Sequence, residues 1–269
     1  MYEFDCPQPV TVAVRLGGGG VDVLAEERHT AQVEVAPVEN TGPATEAAAN
    51  TVVELRGDTL IVQAPNSTGG WLFRRTPRLR VTIRVPLDSA LALKVASADV
   101  RCRGRYSGGK VSSASGDVHV DEVTGDVEAN TASGNANVDR AGGQVKIDTA
   151  SGDVRVGYAR GDVVMHSASG NLELGQADAS VRATTASGDI RVAAASHGTV
   201  RTNSASGDVS IGVTAGTGVW LDLSTVSGTT RSDLTMSDTP SDTGANLTLQ
   251  VRTVSGDIEV HRVSLPAAA

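Results

Sequence analysis

Residues 185–192 read TASGDIRV, and the same phrase stands eighteen residues earlier as SASGNLEL (167–174) and eighteen before that as TASGDVRV (149–156). Its serine, or the equivalent, falls at Ser97, Ser115, Ser133, Ser151, Ser169 and Ser187, each step being 18 residues. The spacing then loosens to 19 at Ser206, 21 at Ser227 and 28 at Ser255. Self-similarity at a fixed period marks a repeat architecture, in which each copy buries its apolar face only against its neighbours.

Each 18-residue unit divides into halves of nine: Val127 follows Val118, Val163 follows Val154 and Val145 follows Ala136. Within a half the apolar residues alternate, as in Val154 and Val156, Val145 and Ile147, Leu172 and Leu174, or Ile190 and Val192. Arg155, Lys146, Glu173 and Arg191 stand between them and suit water. Period two is a strand with one buried face. Glycine every nine residues and Val-rich alternation exclude helical repeats. Proline is absent between Pro86 and Pro240, as continuous ladders require. The chain therefore reads as an all-β protein, a β-helix-like β-solenoid with 18-residue coils and two short strands per coil.

Stacking brings equivalent residues into columns. The residue after the glycine, or after Ala98 in the first copy, reads Asp99, Asp117, Asn135, Asp153, Asn171, Asp189 and Asp208. Exposed carboxylates one coil apart repel by about 1 kcal/mol in water, and Asn at alternate coils relieves this. Asp and Asn share the short acceptor that a turn needs, which bonds a backbone N–H two residues on. The column from Asp117 to Asp208 is thus expected to be structural. The nine-residue half resembles the calcium-binding repeat GGxGxDxUx, but it lacks the glycine doublet, and one carboxylate per turn is thin coordination for a hard cation.

The repeats run from residue 94 to 263, with a polar insertion at 228–246 and a frayed tail at 264–269. Residues 1–93 lack the phrase yet alternate like strands in VTVAVRL, VDVLA, TLIVQAP and LRVTIRVP, with GGGG (17–20) as a turn and a short helix within TEAAANTVVELR. They form a β-rich N-terminal cap continuous with the solenoid, because a ladder end must be blunted. An exposed ladder at either end would permit end-to-end homodimers.

Aromatics are only 3% of the chain, so the core rests on Val, Ile, Leu and Ala. A net charge of −8 argues against nucleic-acid binding. Cys6 and Cys102 lie far apart without CxxC spacing and read as buried thiols. The opening MYEFDCPQPV has neither a basic start nor an apolar run, which points to the cytoplasm, and no stretch approaches the ~18 apolar residues of a membrane span. No GxSxG, HExxH or phosphate loop occurs. A serine repeated in every coil is a turn residue, whereas a nucleophile is singular and held by its own base. No catalytic, cofactor-binding or metal-binding residue is assigned.

One charge cluster breaks the pattern: FRRTPRLRVTIR carries Arg74, Arg75, Arg78, Arg80 and Arg84 beside Trp71. On a strand Leu79, Val81 and Ile83 would point inward, and Arg78, Arg80 and Arg84 would share the outer side. In an acidic protein these arginines are candidates for contact with an anion or a partner.

With TASGDV in series, the opening PVTVAVRLGGGGVDVLA and the closing TVSGDIEV, nearly the whole chain resembles the bacterial putative-adhesin β-strand repeat family, DUF4097. The short segment holding Phe4, Pro7 and Pro9 is similar to that of its actinobacterial members. The resemblance implies no catalytic motif and no cofactor, and an envelope role for some relatives. The expected function is a non-enzymatic structural or interaction module that presents stacked side-chain columns, such as His119, Asn137, Arg155, Glu173 and Arg191, to a partner protein. The alternatives are an adhesin-like protein at the cell surface that binds envelope or glycan, and a polysaccharide-active enzyme.

Overall fold

The computed structural model describes residues 1–65, 76–234 and 246–264. It comprises two compact units, Met1–Ala136 and Asn137–Ala269.

The first unit holds β1 (Tyr2–Asp5), β2 (Thr11–Glu26), β3 (Thr30–Pro37), α1 (Gly42–Ala49), β4 (Val52–Arg56), β5 (Thr59–Gln63), β6 (Leu79–Pro86), β7 (Ala90–Tyr106), β8 (Gly108–Ser113), β9 (Val118–Val123) and β10 (Val127–Thr131). Two ladders form. In the first, β5, the first half of β2, the first half of β7, β8 and β10 run parallel in that order. In the second, β6, the second half of β2, the second half of β7 and β9 do the same. Long β2 serves both ladders because it bends between them. The glycine run is therefore a corner inside one strand, and it does not end the strand as a turn would. Gly19 has φ +117°, and a Cβ there would lie 1.9 Å from the Leu79 carbonyl oxygen. Only glycine permits that bend while ladder bonds continue on both sides.

Antiparallel strands finish this unit: β3 pairs with β6, β1 with β3 and β4 with β5. They cover parallel edges with strands that the 18-residue period does not extend. The expected helix forms just upstream of its predicted window, and Thr51 closes it by donating its hydroxyl to the Ala47 carbonyl at 2.8 Å. Inside, Val12, Val14, Leu60, Leu93, Val100 and Val111 are buried, as the alternation requires. Tyr106 is the largest fully buried side chain, its hydroxyl 3.0 Å from the Val23 carbonyl. Cys6 and Cys102 are both buried free thiols.

The second unit continues the same plan through β11 (Ala136–Ala141), β12 (Val145–Ser151), β13 (Val154–Ala159), β14 (Val163–Ser169), β15 (Leu172–Ala177), β16 (Val181–Ser187), β17 (Ile190–Ala195), β18 (Gly198–Ser206), β19 (Val209–Thr214), β20 (Val219–Ser227), β21 (Thr230–Ser232), β22 (Leu247–Ser255) and β23 (Ile258–Val263). One ladder stacks β12, β14, β16 and β18, and the other β13, β15, β17 and β19. Val163 sits on Val181 and Val181 on Val200, and Leu172 on Ile190 and Ile190 on Val209. Register is unbroken from β12 through β18, and in the other ladder it shifts once, between Val192 and Ala195 where β17 meets β19.

At the last two coils chain order and spatial order part. β18 pairs with β22, and β22 with β20; β19 pairs with β23, and β23 with β21. The final coil, 247–263, is thus inserted between coils 198–214 and 219–232. The side chains explain the exchange. The final coil brings Leu247, Leu249, Val251, Ile258 and Val260, all buried and able to pack on both sides. The coil at 219–232 has only Thr-Arg-Ser in its second strand, entirely exposed, and gives nothing for a further coil to pack on. A coil that packs on one side belongs at an end. The segment expected as a polar insertion (228–246) therefore begins with a strand, β21, and residues 235–245 lie outside the described residues.

Two outcomes test this account. Gly188 has φ +148°, and a Cβ there would lie 2.2 Å from the Gly170 carbonyl oxygen. Thermal unfolding should show Gly188→Val destabilised by more than about 2 kcal/mol and exposed Ser187→Ala by less than ~1 kcal/mol. Asn203 is the register partner of Arg252, which in turn partners Ser224. On oxidation, an Asn203→Cys/Arg252→Cys pair should form a disulfide, because adjacent strands bring the Cα atoms within disulfide range. An Asn203→Cys/Ser224→Cys pair should stay reduced; stacking in chain order would give the reverse.

Candidate functional site

The column after the glycine is built into the ladder. In the first unit the Asp117 N–H donates to Asp99 Oδ1 at 3.2 Å, and the Asn135 N–H to Asp117 Oδ1 at 2.9 Å. In the second, Asn171 donates to Asp153 at 2.8 Å, Asp189 to Asn171 at 2.9 Å, Asp208 to Asp189 at 2.8 Å and Asp257 to Asp208 at 2.8 Å. The partner is the equivalent residue of the neighbouring coil, and not the N–H two residues on that turn chemistry predicts. Parallel in-register stacking sets each N–H facing the carboxamide or carboxylate of the coil beside it. Asp and Asn offer that oxygen equally, so they interchange freely. Asp189, Asp208 and Asp257 follow one another without an intervening Asn, each carboxylate accepting an amide proton.

A second column carries no exposed signal. Ser113, Thr131, Thr149, Ser167, Thr185, Ser204 and Thr253 are all buried, two residues before the repeated serine or its equivalent. Thr185 donates to the Gly170 carbonyl at 3.3 Å, Thr253 to that of Gly207 at 3.3 Å and Thr225 to that of Gly256 at 3.0 Å. These three hydroxyls tie the turn of one coil to the interior of the next, whereas those of Thr131, Thr149 and Ser167 have no hydrogen-bond partner among the described residues. The signal was present in the sequence as Ser or Thr at an otherwise apolar position.

The arginine cluster is divided by the described residues. Arg74, Arg75 and Trp71 lie outside them. Arg78, Arg80 and Arg84 are exposed while Leu79, Val81 and Ile83 are buried, as predicted. The fold adds what the local sequence did not announce. Arg80 lies beside Gly20 and Arg84 beside Leu24, and β2 in turn sets Asp22 beside Arg101 and Leu24 beside Arg103. Arg80, Arg84, Arg101 and Arg103 thus share the outer face of the second ladder, two strands apart at about 10 Å. Among the described residues none of the four has an ion-pair partner, whereas Arg105, just beyond, is held by Asp88 at 2.7 Å. Sequence alone could not find Arg101 and Arg103, which belong to this face only through the pairing of β2 with both β6 and β7. In the second unit the predicted column of Arg155, Glu173 and Arg191 is in register, and Arg155 pairs with Glu173 at 2.6 Å. Arg155 and Glu173 thus neutralise one another.

Ionisation follows structure. Burial pushes the Cys102 thiol and the Tyr106 hydroxyl well above their usual ranges. The hydrogen bond to Asp178 raises Tyr158, the bond from Arg105 lowers Asp88, and the Thr229 amide lowers Asp257. Among the described residues none of these shifted groups pairs a nucleophile with a base.

The Toastrack DUF4097 family matches residues 18–261. No curated protein matches the chain. Among solved structures, a "putative lipid binding protein" from Parabacteroides distasonis is 15% identical, covering 97% of this chain and 95% of that one with a TM-score of 0.57. A "putative adhesin" from Bacteroides fragilis is 16% identical over the same shares with a TM-score of 0.46. At 15% identity the likeness to the first of these concerns the fold alone.

Asp257 tests the column. The Thr229 amide donates to its Oδ1 at 2.7 Å and favours the ionised form. Its folded pKa lies below the unfolded value near 3.9. Its contribution is therefore complete above that value and is lost as pH falls through the folded pKa. Carboxyl NMR should show a midpoint below the ordinary carboxylate range. Asp257→Asn should keep the acceptor and abolish this part of the acid dependence; an ordinary midpoint would contradict the bond.

Proposed function

We propose that this chain, which belongs to the Toastrack DUF4097 family, is a non-enzymatic β-solenoid interaction module that receives an acidic segment of a partner protein on its arginine face. One observation carries the reading: Arg80, Arg84, Arg101 and Arg103 stand exposed on one sheet face with no ion-pair partner among the described residues. A chain of net charge −8 has acids to spare, yet leaves these four arginines without an ion-pair partner among the described residues. Free guanidinium groups on a rigid sheet recognise carboxylates with defined geometry, and they speed encounter with an oppositely charged partner. Asp22 and Glu34 share the face, so its charge is patterned. That pattern favours a specific protein over a uniform polyanion. Adhesin-like relatives are in keeping with a role in binding.

A photo-crosslinking residue in place of Thr82, between Arg80 and Arg84, tests the reading in intact cells. A discrete protein adduct is expected, lost in Arg84→Glu/Arg103→Glu while the melting temperature stays unchanged, since both side chains are exposed. Persistence of the adduct in the charge-reversed variant, or an adduct only with polysaccharide or lipid, would overturn it.

A further inference from the structure

The outer face of the first ladder in the first unit has a different chemistry. A cavity of about 510 Å³ opens there and a second, of about 580 Å³, adjoins it at the bend of β2 beside Ala47 of α1 and Leu79 of β6; Arg15 and Lys94 line both. The two residues are register partners across β2 and β7. Both are exposed, and neither has an ion-pair partner among the described residues. The acids of this face are already engaged: Glu54 pairs with Arg56 at 2.6 Å and Glu128 with Lys110 at 2.9 Å. Beside the cations the floor is apolar. Ala13 lies between Ile61 and Ala92 in one row across three strands. Val52, half exposed, is paired with Gln63 in the row that holds Arg15. Small side chains flanked by long ones make a trough, of a size usual for small-molecule sites.

We propose that this trough binds a soluble single-chain anionic amphiphile, its acid group held by Arg15 and Lys94 and its hydrocarbon chain lying over Ala13, Ile61 and Ala92. Paired cations supply charge-assisted hydrogen bonds to a phosphate or carboxylate. The row of apolar side chains offers the hydrocarbon a surface shielded from water on one side. An anion without a chain gains only the first, and a neutral chain only the second. The arginine face lies on the other ladder, so the two sites are independent and each can fail alone.

Dodecyl phosphate, kept below its micelle concentration, is the probe, with inorganic phosphate and phosphatidylglycerol vesicles as the other arms, all measured on the full chain. Calorimetry should give saturable one-to-one binding of dodecyl phosphate, at least about tenfold tighter than inorganic phosphate. Arg15→Gln/Lys94→Gln should weaken it by about tenfold or more without moving the melting temperature, as loss of two charge-assisted contacts requires. Ile61→Asn, which keeps both cations, should reduce the advantage of the long chain over inorganic phosphate. No saturable binding, equal affinity for the two phosphates, or indifference to the Arg15/Lys94 variant would overturn the proposal. Binding to vesicles without binding to the monomer would overturn it as well, because it would assign the cations to a membrane surface.

Discussion

Everything in this molecule depends on holding one coil in register with the next. A strand of five or six residues cannot bury its own face, and a slip of one residue would turn every valine outward. Two devices at the turns oppose the slip. The Asp or Asn after the glycine accepts the amide proton of its counterpart in the adjacent coil, and at Thr185, Ser204 and Thr253 a buried hydroxyl also reaches a glycine carbonyl one coil away. Glycine is needed between them because the neighbouring backbone runs too close for a Cβ. The conserved look of the phrase within the chain is this geometry repeated, and it leaves the outward positions free to vary.

That freedom is where function can reside. Inward residues are fixed by packing and turn residues by register, so the faces carry the only side chains whose identity the fold does not dictate. The faces differ. In the second unit the outward Arg155 and Glu173 answer one another. In the first unit the face of one ladder gathers four arginines that have no ion-pair partner among the described residues, and the face of the other places Arg15 and Lys94 beside alanines. The same scaffold thus presents a cross-coil ion pair, a cationic face and an amphipathic trough.

Much of the architecture was legible in the sequence because local rules carried it. Period two gave the strands, period eighteen the coils, and alternation of Leu79, Val81 and Ile83 with arginine gave the outward side of β6. What escaped was non-local. Chain order implies stacking order only if successive coils can pack on both sides, and the Thr-Arg-Ser strand at 230–232 cannot, so the last coil took its place. The four glycines at 17–20 looked like a turn because glycine marks turns and corners alike. The direction of the Asx bonds was missed because a turn motif considered alone has no neighbouring coil. Arg101 and Arg103 joined the arginine face through pairings between residues about 80 positions apart, which no local pattern encodes.

The register lock can be measured directly by residue-resolved amide hydrogen exchange. The amides of Asn171, Asp189 and Asp208 sit at turns, where exchange is ordinarily fast, but here each donates into the column. They should be protected to the same degree as the strand amides of Leu172, Ile190 and Val209, and should exchange with them in one cooperative opening. Turn amides that exchange at free-peptide rates while the strands remain protected would show that the column does not hold the coils, and the account of the fold given above would be wrong.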